Sequence, residues 1–268
     1  MEKLWEVHAL KYADRAGRTR ADSFIFDDDH SSPHAMDYFV WVLKCGDEVI
    51  LVDTGYDQAE ARERQRPIIR DPGQSLTALG IAPEDVKTVI ITHLHYDHAG
   101  GLDRYPNATF HLQKREMEYA TGSCMCSPVI RMPFTAEHVC EMIRKVYSGR
   151  VVFHDGDGAV ANGVTVHCIG GHSRGLQAVR VKTEAGYLCL ASDASHYYEN
   201  FLLQKPFPIV VDLEDMINGF EKIQELASDK KLVIPGHDPL VTDAFPEEGI
   251  SGFVWRLDRG PTKLILGL

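Results

Sequence analysis

Positive charge is scarce in this sequence. Its 268 residues carry 28 Lys and Arg against 39 Asp and Glu, a formal net charge of −11. Nucleic-acid binding rests on Lys and Arg neutralising phosphates, so a general DNA or RNA partner is disfavoured and only a local basic groove would allow one. Long apolar runs are absent too. No stretch approaches the roughly 18–20 consecutive apolar residues of a membrane helix, so no membrane partner is expected. The first residues, Met1 to Arg20, include His8, Lys11, Asp14 and Arg15 and lack the apolar core of a signal peptide. The six cysteines (Cys45, Cys124, Cys126, Cys140, Cys168 and Cys189) include no Cys-x-x-Cys. Such scattered cysteines read as reduced, and the expected compartment is cytoplasmic. There is no tandem repeat, no low-complexity tract and no phosphate-cradling Gly-rich loop. The nearest approach to such a loop, His154-Asp155-Gly156-Asp157-Gly158, reads as a turn. What remains is an ordinary globular balance, 44% hydrophobic and 25% charged. The length suits one large domain or two small ones, with a core that needs no disulfide staples.

Strand signals dominate both ends. Trp5–Tyr12 reads as a strand. Tyr38–Leu43 and Val49–Val52, with Cys45-Gly46-Asp47-Glu48 between them, read as a hairpin. Gln58–Arg66 and Ser75–Leu79 read as helices, stopped by Pro67 and Gly80. Val86–Thr92 is β-branched and nearly all apolar, the pattern of a strand covered on both faces. A strand at Thr109–Leu112 and a helix at Lys114–Ala120 follow, then an irregular stretch, Cys124–Pro133. Ala136–Tyr147 has helical spacing, with Val139, Met142, Ile143 and Val146 on one face. Val151–Phe153, Val164–Ile169, Ala178–Lys182 and Tyr187–Ala191 read as strands, Leu213–Leu226 as an amphipathic helix, and Leu232–Ile234 as a last strand. Two mixed β-sheets packed face to face with helices outside satisfy this order, an α/β architecture.

The strand at Val86–Thr92 runs directly into His93-Leu94-His95-Tyr96-Asp97-His98-Ala99-Gly100-Gly101, which puts four metal-ligand candidates within six residues. Imidazoles and carboxylates are suitable ligands for Zn²⁺ and other first-row metals. In an extended segment His93 and His95 point to one side. A turn at Tyr96 then aims Asp97 and His98 at a second point, and Gly100 and Gly101 allow the backbone to bend sharply. Four residues cannot satisfy two metals. Three further candidates each follow a strand signal beside Gly or a small residue: His172 in Gly170-Gly171-His172-Ser173, Asp193 in Ser192-Asp193, and His237 in Pro235-Gly236-His237-Asp238. His8, His30, His34, His111, His138, His154 and His167 have no partner pattern and read as surface or packed residues. Cys124-Met125-Cys126 is too closely spaced for a zinc ribbon.

With His93-x-His95-x-Asp97-His98, then His172, Asp193 and His237, and with Val52-Asp53-Thr54-Gly55 as an Asp-bearing turn, the sequence resembles the metallo-β-lactamase-fold hydrolases, and within them the N-acyl-homoserine lactonase branch. The resemblance spans roughly Tyr38 to Pro239. It implies a single domain over 1–268, a four-layer αβ/βα sandwich, with a lid segment around 111–150. His93, His95 and His172 would hold one zinc; Asp97, His98 and His237 would hold the other; Asp193 would bridge. Asp53 would orient a ligand imidazole through a hydrogen bond. Two Zn²⁺ per chain would then open a lactone by attack of metal-activated hydroxide, with Asp97 returning the proton to the leaving alkoxide.

One position departs from the branch, where a Tyr commonly lies three residues after the bridging Asp and polarises the substrate carbonyl. Here that position is His196, with Tyr197 and Tyr198 following, so either His196 or Tyr197 takes the role. Alternatives within the fold are a thioester or other small-ester hydrolase, and a persulfide dioxygenase with one iron on His93, His95, His172 and Asp193. The implied partners are a small-molecule lactone or ester and, by the same resemblance, a second copy in a homodimer. Met117, Met125, Met132, Phe134 and Phe201 are candidates for an apolar trough that takes an acyl chain.

Overall fold

The structure is a computed structural model that describes residues 2–249 and 251–267. Its strands are β1 (Glu6–Arg15), β2 (Met36–Cys45), β3 (Glu48–Val52), β4 (Thr88–Ile90), β5 (Thr109–Gln113), β6 (Val151–His154), β7 (Gly158–Ala161), β8 (Val164–Cys168), β9 (Gln177–Thr183), β10 (Gly186–Ser192), β11 (Val233–Pro235) and β12 (Val254–Arg256). Its helices are α1 (Gln58–Glu63), α2 (Pro72–Ser75), α3 (Lys114–Ala120), α4 (Pro128–Arg131), α5 (Ala136–Tyr147), α6 (Tyr198–Leu202), α7 (Leu213–Leu226) and α8 (Leu240–Ala244). The strands form a seven-stranded sheet in the order β12-β1-β2-β3-β4-β5-β6 and a five-stranded sheet in the order β11-β10-β9-β8-β7. Both are mixed: β3 to β6 run parallel in the first, and β10 pairs β11 parallel but β9 antiparallel in the second.

Alternation along β2 explains the layering, since successive side chains leave a strand on opposite faces. Phe39, Trp41 and Leu43 join Val166, Val179, Val181 and Leu190 of the second sheet in one buried cluster. Tyr38, Val40 and Val42 face the other way, into a second cluster with Ala61 of α1, Leu76, and Val139 and Met142 of α5. On the far side α7 brings Met216, Phe220 and Ile223, at helical spacing, to the core beside β10. The result is the expected α/β arrangement, helices outside two sheets. Among the described residues no helix is long and apolar enough to cross a membrane.

Several boundaries differ from the expectation for physical reasons. β4 ends at Ile90 rather than Thr92, because the chain there passes from one sheet to the other: the Ile91 amide donates to His111 (3.0 Å), and the Thr92 carbonyl accepts from Gln177 of β9 (3.0 Å). α1 stops at Glu63, ahead of Gln65 in the left-handed region (φ 54°). The stretch expected to be irregular contains α4, started by Pro128 at its first position. The short β7, β12 and α8 had no signal of their own in the sequence.

Candidate metal centre

The site lies where the C-terminal ends of β3, β4, β10 and β11 and the loop after β8 meet. After β4 the chain stays extended through His93 and His95 and then turns, the amides of His98 and Ala99 both donating to the His95 carbonyl (3.1 and 3.2 Å). The turn is held against the loop after β3. The Gly100 amide donates to the Gly55 carbonyl at 2.8 Å. A Cβ on Gly100 would lie 2.8 Å from that oxygen, so only glycine fits.

All seven expected ligands converge and are buried. Asp193 stands at their centre, and its two oxygens face different histidines. Oδ2 lies 3.2 Å from His172 Nε2 and 3.9 Å from His93 Nε2, and His172 Nε2 is in turn 2.9 Å from His95 Nδ1. Oδ1 lies 3.2 Å from His98 Nε2 and 3.1 Å from His237 Nε2. Asp97 completes the second group, 3.9 Å from both His98 Nε2 and His237 Nε2. Ligand atoms of His93, His95 and His172, and separately of Asp97, His98 and His237, gather closely enough to share an ion. His93 Nε2, His98 Nε2 and Asp193 Oδ1 are buried without an aligned hydrogen bond, despite the short contacts of Asp193 Oδ1. Orphaned buried polar atoms are costly, and these aim at common points. The donor set therefore fits divalent metal.

A second ring of contacts fixes the imidazoles. Asp53 Oδ2 is 2.7 Å from His98 Nδ1, leaving Nε2 to face Asp193, while Asp53 also accepts from the Thr92 amide (2.7 Å) and hydroxyl (2.8 Å). His237 Nδ1 donates to the Asp37 carbonyl at 2.8 Å, which likewise turns Nε2 inward. Asp53 and Ser192 both sit in the left-handed region (φ 61° and 48°). Non-glycine residues rarely hold that conformation, and such strain concentrates at functional sites.

The charges respond to burial. Desolvation pushes His93 and His95 well below the ordinary imidazole value, into the neutral form that ligates metal. Desolvation would lower His98 too, but the carboxylates of Asp193, Asp53 and Asp97 outweigh it and raise His98 well above its ordinary value. Asp193 falls well below the carboxylate range, because His237, His98 and His196 overcome its burial.

His196 and Tyr197 go to different places. His196 Nε2 is 2.9 Å from Asp193 Oδ2, and its ring lies on Phe207 with centroids 3.9 Å apart. Burial pushes His196 down to about 3. The Tyr197 hydroxyl instead lies 3.3 Å from Ser23 Oγ, and its ring packs on His34. Both residues precede α6, and Tyr197, just ahead of the helix, is extended (φ −131°), so the neighbouring side chains face apart. His196, not Tyr197, borders the pocket at the cluster, about 70 Å³ in volume, along with Arg18, Met36 and Ile209.

Beside that pocket runs a larger apolar cavity of about 600 Å³ that shares His95, His172, Pro208 and Ile209 with it. Met132 and Phe134 line this cavity, as does Cys124. Met125 lies in a different depression next to α1, Phe201 is fully buried in the core, and Met117 packs against the outer cluster. Only two of the five trough candidates therefore reach it. None of the six cysteines is paired.

Glu116 carried no functional signal in the sequence. It is fully buried on α3 and accepts from the Leu94 amide (2.9 Å), the Ser173 hydroxyl (2.6 Å) and the Gly175 amide (2.9 Å). One carboxylate thus ties the His93–His95 loop to the loop that carries His172. Gly175 is required there, since a Cβ would fall 2.2 Å from the Glu116 amide nitrogen.

Residues 36–241 match the model of the Metallo-beta-lactamase superfamily. An N-acyl homoserine lactonase of Bacillus cereus is 28% identical over 241 residues, 83% of this chain and 90% of that protein. The N-acyl homoserine lactonase AttM of Azorhizobium caulinodans is 32% identical over 67% of this chain and 68% of its own. Among solved structures, a quorum-quenching N-acyl homoserine lactone lactonase superposes with a TM-score of 0.74 at 23% identity, covering 90% of this chain and 95% of that one.

Proposed function

The chain belongs to the metallo-beta-lactamase superfamily, and on that footing we propose that it is a dinuclear zinc hydrolase that opens a lactone, an N-acyl-homoserine lactone or a close relative. The observation that carries this reading is the divided carboxylate of Asp193, with one oxygen toward His93 and His172 and the other toward His98 and His237. His93, His95 and His172 would hold one ion and Asp97, His98 and His237 the other, with Asp193 between them. Zinc bound there supplies Lewis acidity and a water whose pKa falls towards about 7.

The chain's own residues do the rest. His196, neutral through burial, carries its one N–H on Nε2, 2.9 Å from Asp193 Oδ2; with Asp193 drawn onto the ions, that N–H would turn to the carbonyl oxygen as negative charge builds on it. Asp97, at the wall of the same pocket, carries the proton to the departing alkoxide. Asp53 and the Asp37 carbonyl hold His98 and His237 in one tautomer throughout. The apolar cavity beyond Ile209 and Phe134 takes the acyl chain and excludes water from one side of the ring.

A single-iron oxygenase would need only His93, His95, His172 and Asp193. It would leave His98 and His237 aimed inward at Asp193, and His98 Nε2 buried and unpartnered, without a use. A homodimer belongs to this reading through the lactonase resemblance and is checked by sedimentation. The functional test is a panel of lactones, linear esters and thioesters on zinc-loaded protein. Hydrolysis of lactones with apolar tails is expected, and turnover of thioesters alone would overturn the assignment.

A further inference from the structure

Arg18 is the one cation bordering either cavity at the site that has no carboxylate partner among the described residues. Arg174, on the apolar cavity, pairs with Asp212 at 3.3 Å. Two residues beyond Arg18, Arg20 is doubly paired, with Asp27 (2.7 Å) and Glu199 (2.8 Å). Arg18 instead donates from one terminal nitrogen to the Asp22 carbonyl (2.6 Å) and the Ser23 hydroxyl (3.3 Å). Its backbone carbonyl accepts from the His34 amide (2.9 Å), which fixes the base of the side chain. Its Nε is buried and unpartnered. Asp22 borders the same pocket, but its carboxylate accepts from the Thr19 amide (2.9 Å) and hydroxyl (3.3 Å). The guanidinium is thus a positioned donor, in a chain of net charge −11, with no direct ion pair: the Asp22 carboxylate feels its charge but is turned to Thr19.

We propose that Arg18 is a specificity-determining residue that binds a carboxylate carried by the substrate, so that the preferred lactone bears an acidic substituent on the side of its ring away from the apolar tail. A guanidinium matches a carboxylate through parallel N–H donors. The pocket at the cluster is lined by Arg18 as well as by the ligand histidines, and it adjoins the apolar cavity through Pro208 and Ile209, which line both, whereas Arg18 does not line that cavity. One molecule can therefore present a carboxylate to Arg18, a ring to the centre and a tail to the cavity.

The inference rests on the lactonase reading, and the experiment separates the two. Zinc-loaded parent, R18M and R18K proteins are assayed on a γ-lactone with an apolar tail and a carboxylate, and on the same lactone with the carboxylate as a primary amide. The parent is expected to favour the carboxylate in kcat/KM by roughly tenfold or more. R18M removes most of that preference, and R18K keeps part of it as a point charge. Calorimetry with a tetrahydrofuran that carries the same tail and carboxylate, and has no bond to hydrolyse, measures the contact without turnover. Weaker binding to R18M than to the parent supports the role. Equal affinity, or an unchanged carboxylate preference in R18M, overturns it. Failure to hydrolyse either lactone, with the calorimetric difference intact, refutes the lactonase reading and leaves the carboxylate site standing.

Discussion

Two pairs of histidines in this molecule meet nitrogen to nitrogen at almost the same distance. His172 Nε2 and His95 Nδ1 are 2.9 Å apart, and His111 Nδ1 and His154 Nε2 are 3.0 Å apart. The first pair is buried beside a carboxylate that four further imidazoles share, in a cluster with orphaned donors. The second is stacked between β5 and β6 with no carboxylate within ion-pair reach among the described residues. Proximity of imidazoles is therefore not what makes a metal site. Negative charge at the centre and ligand atoms left without partners make it, and only one pair has them.

The sharpest break of that comparison removes the centre. D193A should lose both ions and reduce hydrolysis to background, whereas H111A should leave metal content and activity near the parent's; metal analysis beside a lactone assay checks both. Next in size, H196A should lower kcat by about 10²-fold with a smaller change in KM, as for loss of one oxyanion donor. Equal loss in Y197F would shift the role to the neighbouring phenol. D53N should weaken metal binding by about 10–100-fold, since it frees His98 to turn, and competition with a chelator measures it.

The smallest effect belongs to the second pair and appears in stability. Burial, with His154 alongside, pushes His111 down to about 4, against about 6.5 in an unfolded chain. Between those values the unfolded chain binds a proton that the folded chain refuses, so stability falls as pH drops from about 6.5 towards about 4. Other depressed histidines, His93, His95 and His196 among them, act in the same direction, so H111Q should lessen the fall of the melting temperature over that window without abolishing it, and an unchanged slope would assign the acid sensitivity elsewhere.

How much of this could be read in advance follows from what each feature needs. The His93–His98 run was legible because two ligand sets demand particular residue types within a few positions. His172, Asp193 and His237 were legible through strand ends beside small residues. The role of Asp53 was implied by the family resemblance, since its turn alone fits a backbone cap equally well. Glu116 was not, because a charged residue on an exposed-looking helix carries no mark of its burial; only the three donors converging on it reveal its role. The choice between His196 and Tyr197 was open because a single residue of offset at the start of α6 reverses which side chain faces the centre. The apolar cavity was legible only in part. Met132 and Phe134 reach it, but Phe201 is as apolar as they are and lies in the core, since hydrophobicity alone does not distinguish a wall from an interior. Arg18 was invisible because an unpaired arginine becomes informative only once its neighbours' partners are known.

The most direct test of the two-metal account is a titration of metal-free protein with zinc, with bound metal and lactone hydrolysis followed in the same samples. The account predicts saturation at two ions per chain and activity that requires that loading. Saturation at one ion with full activity, or full activity in protein stripped with a chelator, would contradict it.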